Sequence, residues 1–281
     1  MDTDQNMGIE SLLKGICTSK LRTNILLSLE KPMTLAELKN TIYADSPNAS
    51  SSARELEDLG LVTRKSGYYS LTSFGSIVRS KLNEFQDLLT TFNNHGNWWQ
   101  THNFDVIPIQ FKKNIHVFSD AQIIQDSKIE AGKAYAKKME LMKKAKKRIK
   151  GIILVYSQEA IEIVINRAKQ GASCQFIVAP DIAAYMGKAE NIQQMKALLE
   201  NMNVQMKVAD VHFMFLLIDD SLVLALSHLD NPDHFDWSAM LFSSNPEAVR
   251  WGEELFDFYW KKTKPMKVED LKKSPKTKTK K

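Results

Sequence analysis

The sequence predicts an α+β domain of short helices closed by a hairpin, followed by an α/β domain on a mixed sheet. Three observations predict it. Residues 20–95 carry apolar residues at helical spacing, interrupted by capping signals and one glycine-centred pair of short runs. Residues 128–262 alternate helical stretches with apolar runs of strand length. Between them, residues 96–127 are rich in aromatics, His and Asn and show no clear period. A chain of 281 residues has room for two ordinary domains. The expected division is 1–95, a connector at 96–127, 128–262, and a basic tail at 263–281.

Composition excludes several classes. The chain is 43% apolar and 25% charged, as globular proteins are. No run approaches the ~20 apolar residues that cross a bilayer, and the start is acidic and polar, unlike a secretory signal. Cys17 and Cys174 lie far apart and form no metal-type pair. A reduced, cytoplasmic setting is expected, with no cofactor and no membrane contact. The net charge of +5 is unevenly placed. Residues 261–281 hold ten lysines against Glu269 and Asp270, so the preceding 260 residues sum to −3. Nucleic-acid contact by the body must therefore use local patches. The tail lacks aromatics and is expected to be disordered, either as a solubilising end or as a phosphate-binding arm.

In the first region, Leu21, Ile25, Leu26 and Leu29 form a helical stripe that ends at Lys31-Pro32. Thr34 can cap the next helix, and Glu37 completes the capping-box spacing. Ser46 reads as the cap of a third helix with Pro47 at its first position. On that helix Ala49, Ser52, Ala53, Leu56 and Leu59 share one side. Ser50, Ser51 and Arg54 project from its front half, and Glu55 and Asp58 from its rear. Gly60 ends it. Two short strands, 61–63 and 69–72, then flank a basic turn of Arg64, Lys65, Ser66, Gly67 and Tyr68. A further apolar helix spans 74–92.

A helix entering a major groove by its N-terminal end needs small polar or cationic residues there. Cations on a hairpin suit sugar–phosphate. The candidate DNA-binding residues are Ser50, Ser51, Arg54, Arg64, Lys65 and Tyr68. The stretch "RELEDLGLVTRKSGYYSLTSFG" resembles the recognition helix and wing of archaeal and bacterial winged helix-turn-helix regulators. The resemblance implies double-stranded DNA as partner, and a homodimer is expected. The metal-sensing branch of those regulators carries paired Cys or His on its DNA-binding helices. Cys17 is alone, so metal sensing is not implied.

In the second region, "AKKRIKGIILVYSQEAIEIVINRAKQGASCQFIVAPD" reads as a helix end, a strand at 152–156, a helix, and a strand at 174–179. Such βαβ order predicts parallel strands. Eight bases between Lys137 and Lys150 crowd the first helix, as a solvated face or as a DNA-backbone contact. His212, Met214 and Asp219 match the His-x-Lys-x-x-x-x-Asp spacing of phospholipase D-like enzymes, with Met214 in the lysine position. The order of elements also resembles one half of that fold. Its chemistry needs two histidines and phosphate-binding lysines, and a thioether cannot stabilise the developing charge. The segment therefore reads as a scaffold without catalytic residues. The alternatives are a phosphodiesterase or nuclease, and a winged helix that binds protein. In the last helix Asn245 caps and Pro246 follows. Trp251 and Phe258 widen its apolar arc, which suits either a deep position or a subunit interface.

From about residue 18 to 262 the chain resembles the methanogen transcriptional-regulator family that includes methanogenesis and filamentation regulators. The matching stretches are "NNHGNWWQTHNFDVIPIQF", "AKKRIKGI", "LLIDDSLVLAL" and "AVRWGEELFDFYWKK". The resemblance implies a DNA-binding regulator whose second domain receives a signal, such as a small-molecule effector. Open α/β sheets bind ligands beyond the carboxyl ends of their strands. The candidate effector residues are Tyr156, Ser157, His212, Asp219, Asp236 and Trp237, expected along one sheet edge. Trp98, Trp99 and His102 are expected to wedge between domains. No histidine pair has metal-binding helical spacing, and no metal site is expected.

Overall fold

A computed structural model describes residues 9–188, 191–201, 203–231 and 235–266. The chain divides into two compact units, residues 1–86 and 87–281.

The first unit runs α1 (Ile9–Cys17), α2 (Lys20–Ser28), β1 (Met33–Thr34), α3 (Leu35–Ile42), α4 (Ser46–Asp58), β2 (Val62–Lys65) and β3 (Tyr68–Leu71) into α5 (Ser73–Thr101). Ile25, Leu26, Leu38, Ala49, Ala53 and Leu56 form its core. The capping box is present: Glu37 N–H donates to Thr34 Oγ1 at 3.3 Å, and Thr34 N–H to Glu37 Oε2 at 2.8 Å. The small sheet has the order β1-β3-β2. Thus a third, two-residue strand joins the expected hairpin.

Two local expectations need correction. Asp45, not Ser46, is the N-cap of α4, and its Oδ1 accepts from Asn48 N–H at 2.9 Å. A carboxylate complements the positive helix end better than a hydroxyl does. The wing strands also reach further than expected, so Arg64, Lys65 and Tyr68 are strand residues. Only Ser66 and Gly67 turn, with φ of 51° and 85°. Two positive φ values make a type I′ turn, whose twist matches the flanking strands. At the other end of the hairpin, a Cβ on Gly75 would collide with the Leu61 carbonyl oxygen, so glycine lets α5 lie against the entry to β2.

In the second unit, α5 continues past a break at His95 (φ −133°, ψ 20°). Then come α6 (Ile109–Lys112), β4 (Gln122–Gln125), α7 (Lys133–Lys144), β5 (Arg148–Ile153), α8 (Gln158–Lys169), β6 (Ser173–Val178), α9 (Pro180–Met186), α10 (Ile192–Leu199), β7 (Val204–Val208), β8 (Met214–Ile218), β9 (Ser221–Ala225), β10 (Ala239–Ser243), α11 (Pro246–Lys262) and β11 (Lys264–Pro265). They build one mixed sheet, β11-β7-β6-β5-β8-β9-β10-β4. β5, β6 and β7 run parallel, as the βαβ order predicts, and the other pairings are antiparallel.

β5 starts four residues earlier than predicted. The signal was hidden because Arg148 and Lys150 lie within the strand and reach Glu253 and Asp257 on α11. One sheet face packs Ile149, Phe176, Met214 and Leu216 with residues of α7 and α8. The other packs Phe213, Phe215 and Leu217 with α11 and with residues 98–121. Trp98 and Trp99 are packed into this core of the second unit, and His102 is buried beside them. α11 sits deep, with Trp251 Nε1–H donating to the Phe111 carbonyl at 3.0 Å. β11 and buried Met266 give order to the first residues of the expected tail. Residues 267–281 lie outside the described residues. No described helix is long and apolar enough to cross a membrane.

Candidate nucleic-acid interface and sensor edge

The winged unit presents α4 and the β2–β3 hairpin as its candidate nucleic-acid surface. Ala49, Ser52, Ala53 and Leu56 are buried, which turns Ser51 and Arg54 outward and leaves Ser50 half-buried. Two of the acids on this surface are engaged, whereas Asp58 at the rear is exposed and has no partner among the described residues. Glu55 pairs with Arg22 of α2, and Glu57 Oε1 accepts from Arg64 N–H at 3.1 Å. Arg54 and Lys65 are exposed and have no intramolecular partner among the described residues. The Arg64 guanidinium stands 5.2 Å from the Tyr69 ring centroid, a cation–π placement that stiffens it. Tyr68 is half exposed and sits opposite Lys65 in the ladder.

Asp45 changes the expected polarity of α4. Its carboxylate stands at the leading end, so the helix N-terminus is already occupied and is no phosphate site. Contact must come from the side chains behind it. Tyr43 is a second residue that sequence reasoning missed. It holds the left-handed conformation between α3 and α4 (φ 51°) and is 96% exposed.

The candidate effector residues divide between two ends of the large sheet. Tyr156 and Ser157 follow β5, His212 precedes β8, and Asp236 and Trp237 precede β10, all at the carboxyl end of the parallel strands. Asp219 does not join them. It lies beyond the far end of β8, roughly 20 Å from His212 at strand rise. There its carboxylate accepts the amide N–H groups of Lys146, Lys147 and Arg148 at 2.8–3.0 Å. Burial raises its carboxyl, but these three bonds outweigh burial and hold it below the ordinary range.

At the carboxyl end, Ser157 caps α8 through Ala160 N–H at 3.3 Å and lies 3.1 Å from the Tyr135 hydroxyl. Tyr156 donates to Asn191 Oδ1 at 3.1 Å. His212 is exposed, 3.5 Å from Asp210. Met214 is buried in the apolar cluster, so a cation there would be stranded among hydrocarbons. A small apolar cavity of about 50 Å³ lies beside Ser157, well below the ~300 Å³ of small-molecule sites.

Sequence profiles of the methanogenesis regulatory protein FilR1 match this chain twice, with its N-terminal domain over residues 10–90 and its middle domain over 133–262. The chain belongs to this family. The FilR1 of Methanothrix harundinacea (strain 6Ac) is 20% identical over 266 residues, which cover 92% of the chain but only 59% of that relative's length. Among solved structures, TrmBL2, an archaeal chromatin protein, is 13% identical and corresponds over 91% of this chain and 97% of its own, at a TM-score of 0.42. The phospholipase D family member Nuc from Salmonella typhimurium is 10% identical over 52% of this chain and 97% of its own, at 0.41. Both scores mark loose correspondence only.

Two features of this FilR1-family chain escaped the sequence reading. Lys138 on α7 is 4% exposed, and its ammonium stands 4.3 Å from the Tyr135 ring and 5.9 Å from Trp237. Burial pushes it down to about 8, partly countered by Glu159. Its only sequence signal was a place on the inward side of a lysine-rich helix. The second feature is a meeting of His102, His228 and Asp236 from three distant stretches. A pocket of about 500 Å³ opens on them, lined also by Asn93, His95 and Gln125. Asp236 is 8% exposed. Burial raises its carboxyl, but bonds from the Ser238 hydroxyl and amide and from His102 keep it below the ordinary range.

Proposed function

We propose that this chain is a homodimeric, sequence-specific DNA-binding regulator whose second unit receives a signal without catalysing a reaction. One observation carries the DNA reading. Arg54 on α4 and Lys65 on the wing are exposed and unpartnered among the described residues, while Glu55 and Glu57 are held by intramolecular contacts. Arg54, with Ser50 and Ser51, is suited to base edges, and Arg64, Lys65 and Tyr68 to sugar–phosphate. The buried Met214, and an exposed His212 that lies near Asp210 and far from Asp219, support a second unit without phosphodiesterase chemistry.

The dimer reading rests on α5. Phe74, Ile77, Phe85, Leu89 and Phe92 are each 45–60% exposed. At 100° per residue they fall within an arc of about 120°, a stripe that a second copy of the same helix would cover. A two-fold dimer places half-sites about 34 Å or multiples apart.

Selection of bound fragments from random DNA tests the function. The wild-type chain is expected to enrich one palindromic motif at ~150 mM salt. Arg54→Ala should relax preference at one base position by roughly 1–3 kcal/mol. Lys65→Ala should weaken all sequences alike and reduce the salt slope by about one. Unchanged preference in Arg54→Ala would show that α4 is not the reading helix.

A further inference from the structure

We propose that His102, His228 and Asp236 form a binding site for one first-row divalent transition-metal ion in the second unit. The backbone fixes all three residues. His102 and His228 face each other in an antiparallel bridge, flanked by Asn103 N–H to Ser227 O and Leu229 N–H to Thr101 O, each at 2.8 Å. Asp236 N–H donates to Leu226 O at 3.1 Å. The ligand atoms are thus set by sheet-like pairing, not by long flexible loops.

Hydrogen bonding then selects the tautomer. His102 Nδ1 lies 2.8 Å from the Trp98 carbonyl, which can only accept, so Nδ1 carries the proton. The Thr101 hydroxyl donates to Asn97 O at 2.8 Å, which leaves it no proton for Nδ1. In the neutral ring, the lone pair is therefore on Nε2. That atom points at Asp236 Oδ2, 3.2 Å away, and His228 Nε2 lies 3.6 Å from the same oxygen. The other oxygen, Oδ1, is held by Ser238 N–H at 2.8 Å and Ser238 Oγ–H at 2.6 Å. An imidazole nitrogen and a carboxylate oxygen at this distance need a positive charge between them, either a metal ion or a proton on Nε2.

The spacing fits such a cation. All three ligand atoms lie within 4.8 Å of one another. A tetrahedral ion with bonds of about 2.0–2.1 Å separates its ligands by roughly 3.4 Å. The Trp98 carbonyl behind His102 and Ser238 behind Asp236 are the outer partners that orient metal ligands. Two histidines and one carboxylate leave coordination positions open, as they do in zinc and non-haem iron(II) sites. Here the open side faces the pocket of about 500 Å³, large enough for a small anionic or carbonyl ligand on the ion. The competing arrangement is a metal-free ion pair in which a protonated His102 donates to Asp236. The role of the ion as the signal rests on the regulator reading above, whereas its binding does not.

The test uses the untagged full-length chain, stripped with chelator and titrated with Zn²⁺ or Co²⁺. Metal content and the d–d absorption of bound cobalt are the readouts. One ion per chain is expected, with the intense spectrum of four- or five-coordinate cobalt. His228→Ala removes a ligand that is 38% exposed at its side chain, so folding should survive, and circular dichroism checks this. Affinity in His228→Ala and in Asp236→Asn should fall at least ~100-fold, beyond the 10–100-fold typical of outer-partner changes. His212→Ala should bind as wild type does. Absence of stoichiometric uptake, or equal uptake by wild type and His228→Ala, overturns the site and leaves the metal-free ion pair. Fragment selection on the same samples separates the two proposals. Selective DNA binding without metal uptake sinks only the metal site, and metal uptake without selective DNA binding sinks only the regulator reading.

Discussion

At the scale of single residues, the partners a charge already has decide what it can do. Most bases between Lys137 and Lys150 are matched with acids: Lys137 and Lys144 with Glu140, Lys143 with Glu159, Arg148 with Glu253, and Lys150 with Asp257. Much of that stretch's charge is balanced within its own unit, so its basic appearance in the sequence overstates the free positive charge it offers. Lys138 differs, because it is buried and has no ion pair among the described residues, Glu159 only partly countering the burial. With a folded value of about 8 against about 10.5 unfolded, the unfolded chain binds more protons between those values. Stability should therefore rise with pH from about 8 to 10.5, and the cost of burying the charge is fully present below 8. Lys138→Met should be more stable than wild type at pH 7 by up to about 3 kcal/mol, less the lost cation–π contacts. Urea unfolding of both proteins at pH 7 and pH 10.5 checks this, and the difference should shrink at the higher pH.

At the scale of elements, ends matter more than interiors. The Thr34–Glu37 box, the Asn245 cap and the role of Gly67 in the turn were legible because their energies act over a few neighbouring residues. The boundary of β5 was not, since its bases are matched by acids on α11, which follows about a hundred residues later. Asp219 stood at the motif's aspartate position and among the candidate effector residues, yet it ties the β8–β9 turn to the start of β5. It also holds a left-handed conformation (φ 48°), which Asn tolerates. Asp219→Asn should thus preserve the backbone but weaken the charge-assisted bonds, with a loss of roughly 1–2 kcal/mol at neutral pH. The folded carboxyl lies below its unfolded value, so its contribution is present above about pH 4 and lost as pH falls through the folded value. Denaturation at pH 7 and pH 3 should show the two proteins converging under acid.

At the scale of the whole molecule, the proposed dimer requires the apolar stripe of α5. Replacing Phe85 and Phe92 together by Glu removes two exposed aromatic surfaces without touching a core. Sedimentation should show a dimer for wild type and a monomer for the double variant. DNA affinity for a paired site should then drop toward that of a half-site. A variant that remains dimeric would place the subunit interface elsewhere.

The sequence by itself determined the two kinds of domain, the winged helix with its outward Ser51 and Arg54, and the parallel βαβ order, because periodicity and capping are local. It could not determine what the distant parts of the second unit bring together. His102 follows α5, His228 follows β9, and Asp236 precedes β10, and no spacing along the chain links them. Only the pairing of β9 with β10 and the bridge from His102 to His228 draw them into one cluster. The same long-range pairing separates His212 from Asp219, which a linear motif had joined. A strand carries residues seven apart to opposite edges of its sheet, so strand direction and order decide which side chains share a site.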